Sequence, residues 1–203
     1  MRIAEEVTFG GSGYDRAAQL RGEAESVWLR PDARAMILWR GKPLVTAAEE
    51  RKLFFVEVGH PILDQAGTPI FLGLPDGVPT FAVDLSGWNP SEIELHSGFL
   101  DPTEQNHPLI GEGAVFAELR AIMTHLSAQD AELASTARAI LGWHDSHQFC
   151  SKCGQRSDIA MGGWQRNCPS CKAPHFPRTD PVAIMLVTHG NSALLGRSPG
   201  WPE

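Results

Sequence analysis

Cys150-Ser151-Lys152-Cys153-Gly154 and Cys168-Pro169-Ser170-Cys171 contain all four cysteines of the 203-residue chain. A two-residue spacing lets a tight turn aim both sulfurs and some backbone N–H groups at one point. The fourteen residues from Gly154 to Asn167 that separate the pairs are enough for a short hairpin. Two such turns facing each other complete a tetrahedron of thiolates around Zn²⁺, with Zn–S of about 2.3 Å. Cys150, Cys153, Cys168 and Cys171 are thus the candidate metal ligands. Four thiolates leave no open coordination position, so the ion organises the fold and does not activate water. Its binding energy orders a segment with few apolar residues. The alternative is two redox-active or disulfide-forming dithiols; against it, a thioredoxin-like motif needs one such pair at a helix start.

Downstream of the second pair, His175-Phe176-Pro177-Arg178 puts an aromatic and a cation at a strand entrance. Phe176 is there either to stack on a base or to pack in a core. The apolar run Val182-Ala183-Ile184-Met185-Leu186-Val187 predicts a buried strand, and His189-Gly190-Asn191 a turn into Ser192–Gly196. Two strands alone are only marginally stable. His144 and His147 precede the first pair, but four cysteines already fill a tetrahedral site, leaving helix-end packing or solvent exposure for both.

Further upstream, two helices are expected. One spans roughly Gly113–Leu126, with Val115, Leu119, Ile122, Met123 and Leu126 on one face. The other opens at Ser127, with Asp130 three positions on, and aligns Leu133, Ala137, Ile140, Leu141 and His144. Residues 101–112, rich in Pro, Gly, Asn and acids, read as a connection. Residues 1–100 read as short strands of a mostly antiparallel sheet: Ala35–Trp39 and Leu44–Val45 flanking the hairpin turn Arg40-Gly41-Lys42-Pro43, then Leu53–Val58, Pro69–Leu74 and Thr80–Leu85. Gly10-Gly11-Ser12-Gly13 superficially suggests a nucleotide loop, but Arg16 stands at the third glycine position of the dinucleotide fingerprint and no Lys-Ser or Lys-Thr follows, so it reads as a flexible loop. Glu49-Glu50 and Glu92/Glu94 read as carboxylates on a solvated face.

Apolar residues at 42% and charged residues at 20% place the chain among globular proteins. There is no run of about 18 apolar residues and no basic-then-apolar signal at the N-terminus, so no membrane span and a cytoplasmic address are expected. The net charge of −7 argues against gripping nucleic acid with the whole surface. Its distribution is uneven: Lys152, Arg156, Arg166, Lys172 and Arg178 stand against Asp158 alone in residues 150–178, a local patch able to face phosphates.

Taken with Ala139-Ile140-Leu141-Gly142-Trp143-His144, Gly162-Gly163, His175–Val182 and Leu194-Leu195-Gly196-Arg197, the cysteine pairs resemble the NADH pyrophosphatase family of Nudix hydrolases. Asp15-Arg16-Ala17-Ala18 and Trp39-Arg40-Gly41-Lys42 are similar to the start of its N-terminal domain. The resemblance implies an α+β chain in which a Nudix-like domain (1–112) leads through a helical connection (113–147) to a zinc ribbon (148–178) and the first strands of a Nudix α/β/α sandwich (179–203). It also implies hydrolysis of the NAD(H) pyrophosphate to AMP and nicotinamide mononucleotide, removal of NAD caps from RNA, and a homodimer. Phe176 matches an aromatic position that can stack on a substrate base. The family's catalytic box, a glycine followed at set spacing by glutamate and an Arg-Glu…Glu-Glu helix, does not occur in these residues, nor does the Pro/Phe-rich substrate motif beyond it. The Mg²⁺ or Mn²⁺ ligands are therefore missing, no catalytic residue is assigned, and the chain alone is expected to be inactive. A non-enzymatic ribbon that binds RNA or a protein partner, or a dimerisation scaffold, is the other reading.

Overall fold

The computed structural model describes residues 8–90, 103–180 and 185–196. After a 3₁₀ segment over Ala18–Glu23 and the short helix α1 (Ala24–Trp28) comes β1 (Arg34–Trp39), the central strand of the main sheet. Arg40 and Gly41, at φ 51° and 77°, form the two-residue turn into β2 (Lys42–Thr46), and Trp39 pairs with Lys42. Positive φ at both turn positions suits the right-handed twist of the strands on either side.

The sheet continues with β3 (Phe55–Glu57), β4 (Ile70–Gly73), β5 (Thr80–Asp84) and β6 (Ala114–Phe116). Its order is β4-β5-β1-β2-β6, with β3 also paired to β1. β1 and β5 run parallel, and every other pairing in the sheet is antiparallel. Met36 and Leu38 point to one face, and Ala35, Ile37 and Trp39 to the other. Both faces are covered, which is why β1 reads as an unbroken apolar run with no alternation.

The first face is covered by α2 (Leu119–Ile122) and α3 (Ala128–Ser146), which bury Leu133, Ala134, Ala137 and Ile140 against Ile70, Leu72 and Met36. Ser127 caps α3 by accepting from the Asp130 N–H at 3.1 Å, and the Asp130 carboxylate reaches across to the Leu53 N–H. Glu132 on the same helix accepts from the Ser12 N–H, the Ser12 hydroxyl and Arg16. The glycine-rich loop, expected to be loose, is thereby clamped to α3. Glu49 and Glu50 are exposed as expected, whereas Glu92 and Glu94 lie outside the described residues.

Two further expectations are corrected. The helix drawn over Gly113–Leu126 is a strand over Ala114–Phe116 and a single helical turn over Leu119–Ile122. Val115 pairs with Val45 along β2, where a β-branched side chain fits a pleated sheet, and Glu118 starts the helix by capping the Arg120 N–H. The apolar run 182–187 is not a buried strand in its described part: Met185, Leu186 and Val187 are at least half exposed, and 182–184 lie outside the described residues. Pairing begins one residue later, in a two-stranded hairpin of Thr188–His189 with Ser192–Ala193.

Candidate metal centre

The segment after α3 forms a three-stranded ribbon of β7 (Asp158–Ala160), β8 (Gln165–Asn167) and β9 (Pro174–His175), all antiparallel. Each end is a cysteine knuckle, and the two knuckles share one hydrogen-bond pattern. The Cys150 N–H donates to Gln155 O while Gly154 N–H returns to Cys150 O; the Cys168 N–H donates to Ala173 O while Lys172 N–H returns to Cys168 O. Gly154 and Lys172, at φ 75° and 60°, occupy equivalent left-handed positions.

These turns bring the four sulfurs within 4.8 Å of one another. Cys150 Sγ lies 3.5 Å from Cys171 Sγ, and Cys153 Sγ 3.4 Å from Cys168 Sγ. A zinc tetrahedron with Zn–S of about 2.3 Å needs sulfur separations of about 3.8 Å. The donor chemistry fits as well. The Cys171 N–H, pointing at Cys168 Sγ, holds that thiol down at about 7 against the opposing pull of burial. Burial works to raise Cys150, but N–H groups of Cys153 and Lys152 outweigh it and leave the thiol low. At Cys153 the Gln155 N–H favours the thiolate, yet the crowded sulfurs beside it push the group up to about 12. Four anions at this spacing repel one another unless a cation sits among them, and a divalent thiophilic ion meets that demand. His175 adds a ring nitrogen, Nε2, 3.2 Å from Cys150 Sγ.

His144 and His147 lie apart from the sulfurs. His147 is exposed. His144 is buried, with Arg166 Nη1 donating to its Nδ1 at 3.0 Å. Arginine only donates, so the imidazole proton is on Nε2, which gives it to Gly163 O at 2.8 Å. Arg166 also donates to the Ser157 hydroxyl and carbonyl. Of the five ribbon cations, Arg166 is thus spent inside the protein, and Lys152, Arg156, Lys172 and Arg178 remain on the surface. Phe176 is 62% exposed among the described residues.

The turn between β7 and β8 docks the ribbon on the sheet, a contact that sequence reasoning missed. Trp164 Nε1 donates to Phe71 O at 2.7 Å. A Cβ on Gly163 would lie 2.5 Å from Ile70 Cδ1, and φ there is +93°. Gly163→Ala is therefore expected to lower stability by about 1–3 kcal/mol through overpacking and backbone strain. A urea melt would show the midpoint falling, and an unchanged midpoint would mean the turn is free to move.

Residues 32–143 match the family described as the NADH pyrophosphatase-like rudimentary NUDIX domain, and residues 145–176 match the NADH pyrophosphatase zinc ribbon domain. The chain is 37% identical over 193 residues to the NAD-capped RNA hydrolase NudC of Mycobacterium bovis, covering 94% of this chain and 56% of that protein. It is 47% identical over 121 residues to the human mitochondrial NAD(P)H pyrophosphatase NUDT13, covering 57% of this chain and 34% of the relative. Over 90 residues it is 38% identical to the human NAD-capped RNA hydrolase NUDT12, covering 39% of this chain and 20% of the relative. The chain therefore spans between a fifth and just over half of these relatives' lengths. With more than half of its residues inside the rudimentary domain and a four-cysteine ribbon directly after it, the chain belongs to the NADH pyrophosphatase family of Nudix hydrolases.

Proposed function

We propose that this chain is the scaffold and zinc-ribbon portion of an NAD(H) diphosphatase, which splits the pyrophosphate of NADH or NAD⁺ into AMP and nicotinamide mononucleotide and removes NAD caps from RNA. The observation that carries this reading is the docking of a four-sulfur ribbon onto the rudimentary Nudix domain. Its parts are the domain over 1–112, a connection over 113–147 that adds β6 to that domain's sheet and packs α3 on its face, the ribbon over 148–178, and the opening of a catalytic domain over 179–203. Cys150, Cys153, Cys168 and Cys171 hold a structural Zn²⁺. Phe176, exposed just after β9, offers its face to a substrate base. Mg²⁺ or Mn²⁺, bound by carboxylates outside these residues, would neutralise phosphate charge and activate water. We further propose a homodimer in the reducing cytoplasm.

A purified 203-residue protein is expected to release no AMP from NADH in Mg²⁺ or Mn²⁺ above a no-protein control, whereas the same sequence continued through a glutamate-rich Nudix helix is expected to release it. AMP from the shorter chain would show that its own residues carry the chemistry. Silence from the longer chain would remove the diphosphatase reading. A binding module is the second reading, favoured by Phe149 and Phe176, both more than 60% exposed on a ribbon whose surface carries Lys152, Arg156, Lys172 and Arg178. It requires single-stranded RNA binding that weakens with salt.

A further inference from the structure

β9 leaves the second cysteine knuckle, yet His175 at its end reaches the first. Arg166 pairs with His175 across β8 and β9, and the Arg166 side chain is held in turn by Ser157 and His144, so the backbone beneath the imidazole is fixed. The half-buried ring crosses to Cys150, with Nε2 3.2 Å from Sγ, and so bridges residues 25 positions apart on opposite knuckles. Ser157 is the counterpart of His175, since each lies four positions after the second cysteine of its pair. Its hydroxyl donates to Gln148 O and accepts from Arg166, away from the sulfurs. The likeness of the two knuckles therefore stops at these side chains, and Cys150 gains an imidazole.

Four thiolates around one divalent ion leave an excess of negative charge, which N–H donors to sulfur disperse. Backbone N–H groups of Cys153 and Lys152 serve Cys150, and those of Cys171 and Ser170 serve Cys168. Cys150 is only 2% exposed, so water has little access to replace a missing donor there. A metal-bound thiolate has lone pairs and no proton, so the ring nitrogen facing it is the one that carries hydrogen.

We infer that His175 is an outer positioning residue of the metal centre: its Nε2–H donates to the Cys150 thiolate, ties the two knuckles together and strengthens retention of the ion. The inference rests on the reading of the four cysteines as a Zn²⁺ site and is independent of the diphosphatase assignment. Phe176 follows directly in the chain, so the same bond fixes the point from which that exposed ring departs.

The test is reconstitution of the 203-residue protein with ¹¹³Cd²⁺, an NMR-active stand-in for Zn²⁺ at thiolate sites. Scalar coupling is expected between the metal and the proton on His175 Nε2, carried through the N–H···S bond. Competition with a chromogenic chelator should show Zn²⁺ held at least about tenfold more weakly by His175→Phe, which keeps a ring but no donor. His175→Gln, whose amide donates, should recover most of that loss. In protein that takes up one equivalent of metal, absence of the coupling, or equal Zn²⁺ affinity in the parent and His175→Phe, would overturn this inference alone. An unprotonated Nε2 bonded to the ion would overturn it as well, by making His175 a ligand. Failure of the parent to bind any metal would overturn it together with the zinc reading. The coupling is measured on the unsubstituted chain, so the result stands even if a variant folds poorly.

Discussion

Removing the metal is expected to unfold the two knuckles while the rest of the chain stays folded. In amide exchange with a strong chelator, protection should vanish over residues 148–157 and 167–178. The turn over 161–164 and the main sheet should keep theirs, because Trp164 is tied to Phe71 O and Gly163 is seated on Ile70 by contacts that involve no sulfur. Structural Zn²⁺ contributes on the order of 10–16 kcal/mol to small four-ligand domains at neutral pH, and the knuckles bury little besides Cys150 and Cys168 to offset its loss. Cys168→Ser should reproduce the chelator pattern without any chelator. Full protection of both knuckles in metal-free, reduced protein would show that the ribbon folds without an ion.

The second large effect is expected at His144. Replacing it with Phe leaves the buried Arg166 guanidinium one acceptor short and Gly163 O without a donor, at a cost of about 2–4 kcal/mol. Glutamine should be much better tolerated, since its amide can accept from Arg166 and donate to Gly163 at once. Burial, with the Arg166 charge adding to it, pushes the His144 pKa below its ordinary value, and the Gly163 carbonyl opposes this only in part. The unfolded chain therefore takes up this proton first. The stabilisation is fully present above the unfolded value of about 6.5 and is lost as pH falls through the depressed folded value. His107, also lowered by burial, acts in the same direction. The loss of melting temperature between pH 7.5 and pH 5 should accordingly be smaller in His144→Gln than in the parent. Identical pH profiles would mean that His144 does not titrate across this range.

Local signals in the sequence predicted well those features that local chemistry sets. The β1–β2 hairpin follows from two apolar runs around Arg40-Gly41, and α3 from Ser127 with a 3.6-residue stripe. The cysteine cluster follows from two-residue spacing. Residues 113–126 misled because Val115, Leu119 and Ile122 fit a helical face, whereas the free side of β2 takes Ala114–Phe116 as a strand. Periodicity does not register a vacant neighbouring strand. The docking of the ribbon was illegible for a related reason. Trp164 and Phe71 are 93 positions apart, and His144 and Arg166 are 22 apart, so neither pair leaves a trace in local spacing. Gly162-Gly163 was visible as a family motif, but its physical meaning, a backbone pressed against Ile70, needed the tertiary structure.

β4 ends the order β4-β5-β1-β2-β6, so among the described residues no strand pairs with its outward-facing backbone groups. Two other parts of the chain shield them: Asp15 O takes the Leu74 N–H, and Trp164 reaches Phe71 O. A bare margin of this kind invites strand addition from another molecule. The ribbon thereby acts as a guard against self-association, and a protein cut short before it would present Ile70-Phe71-Leu72 as a template for aggregation.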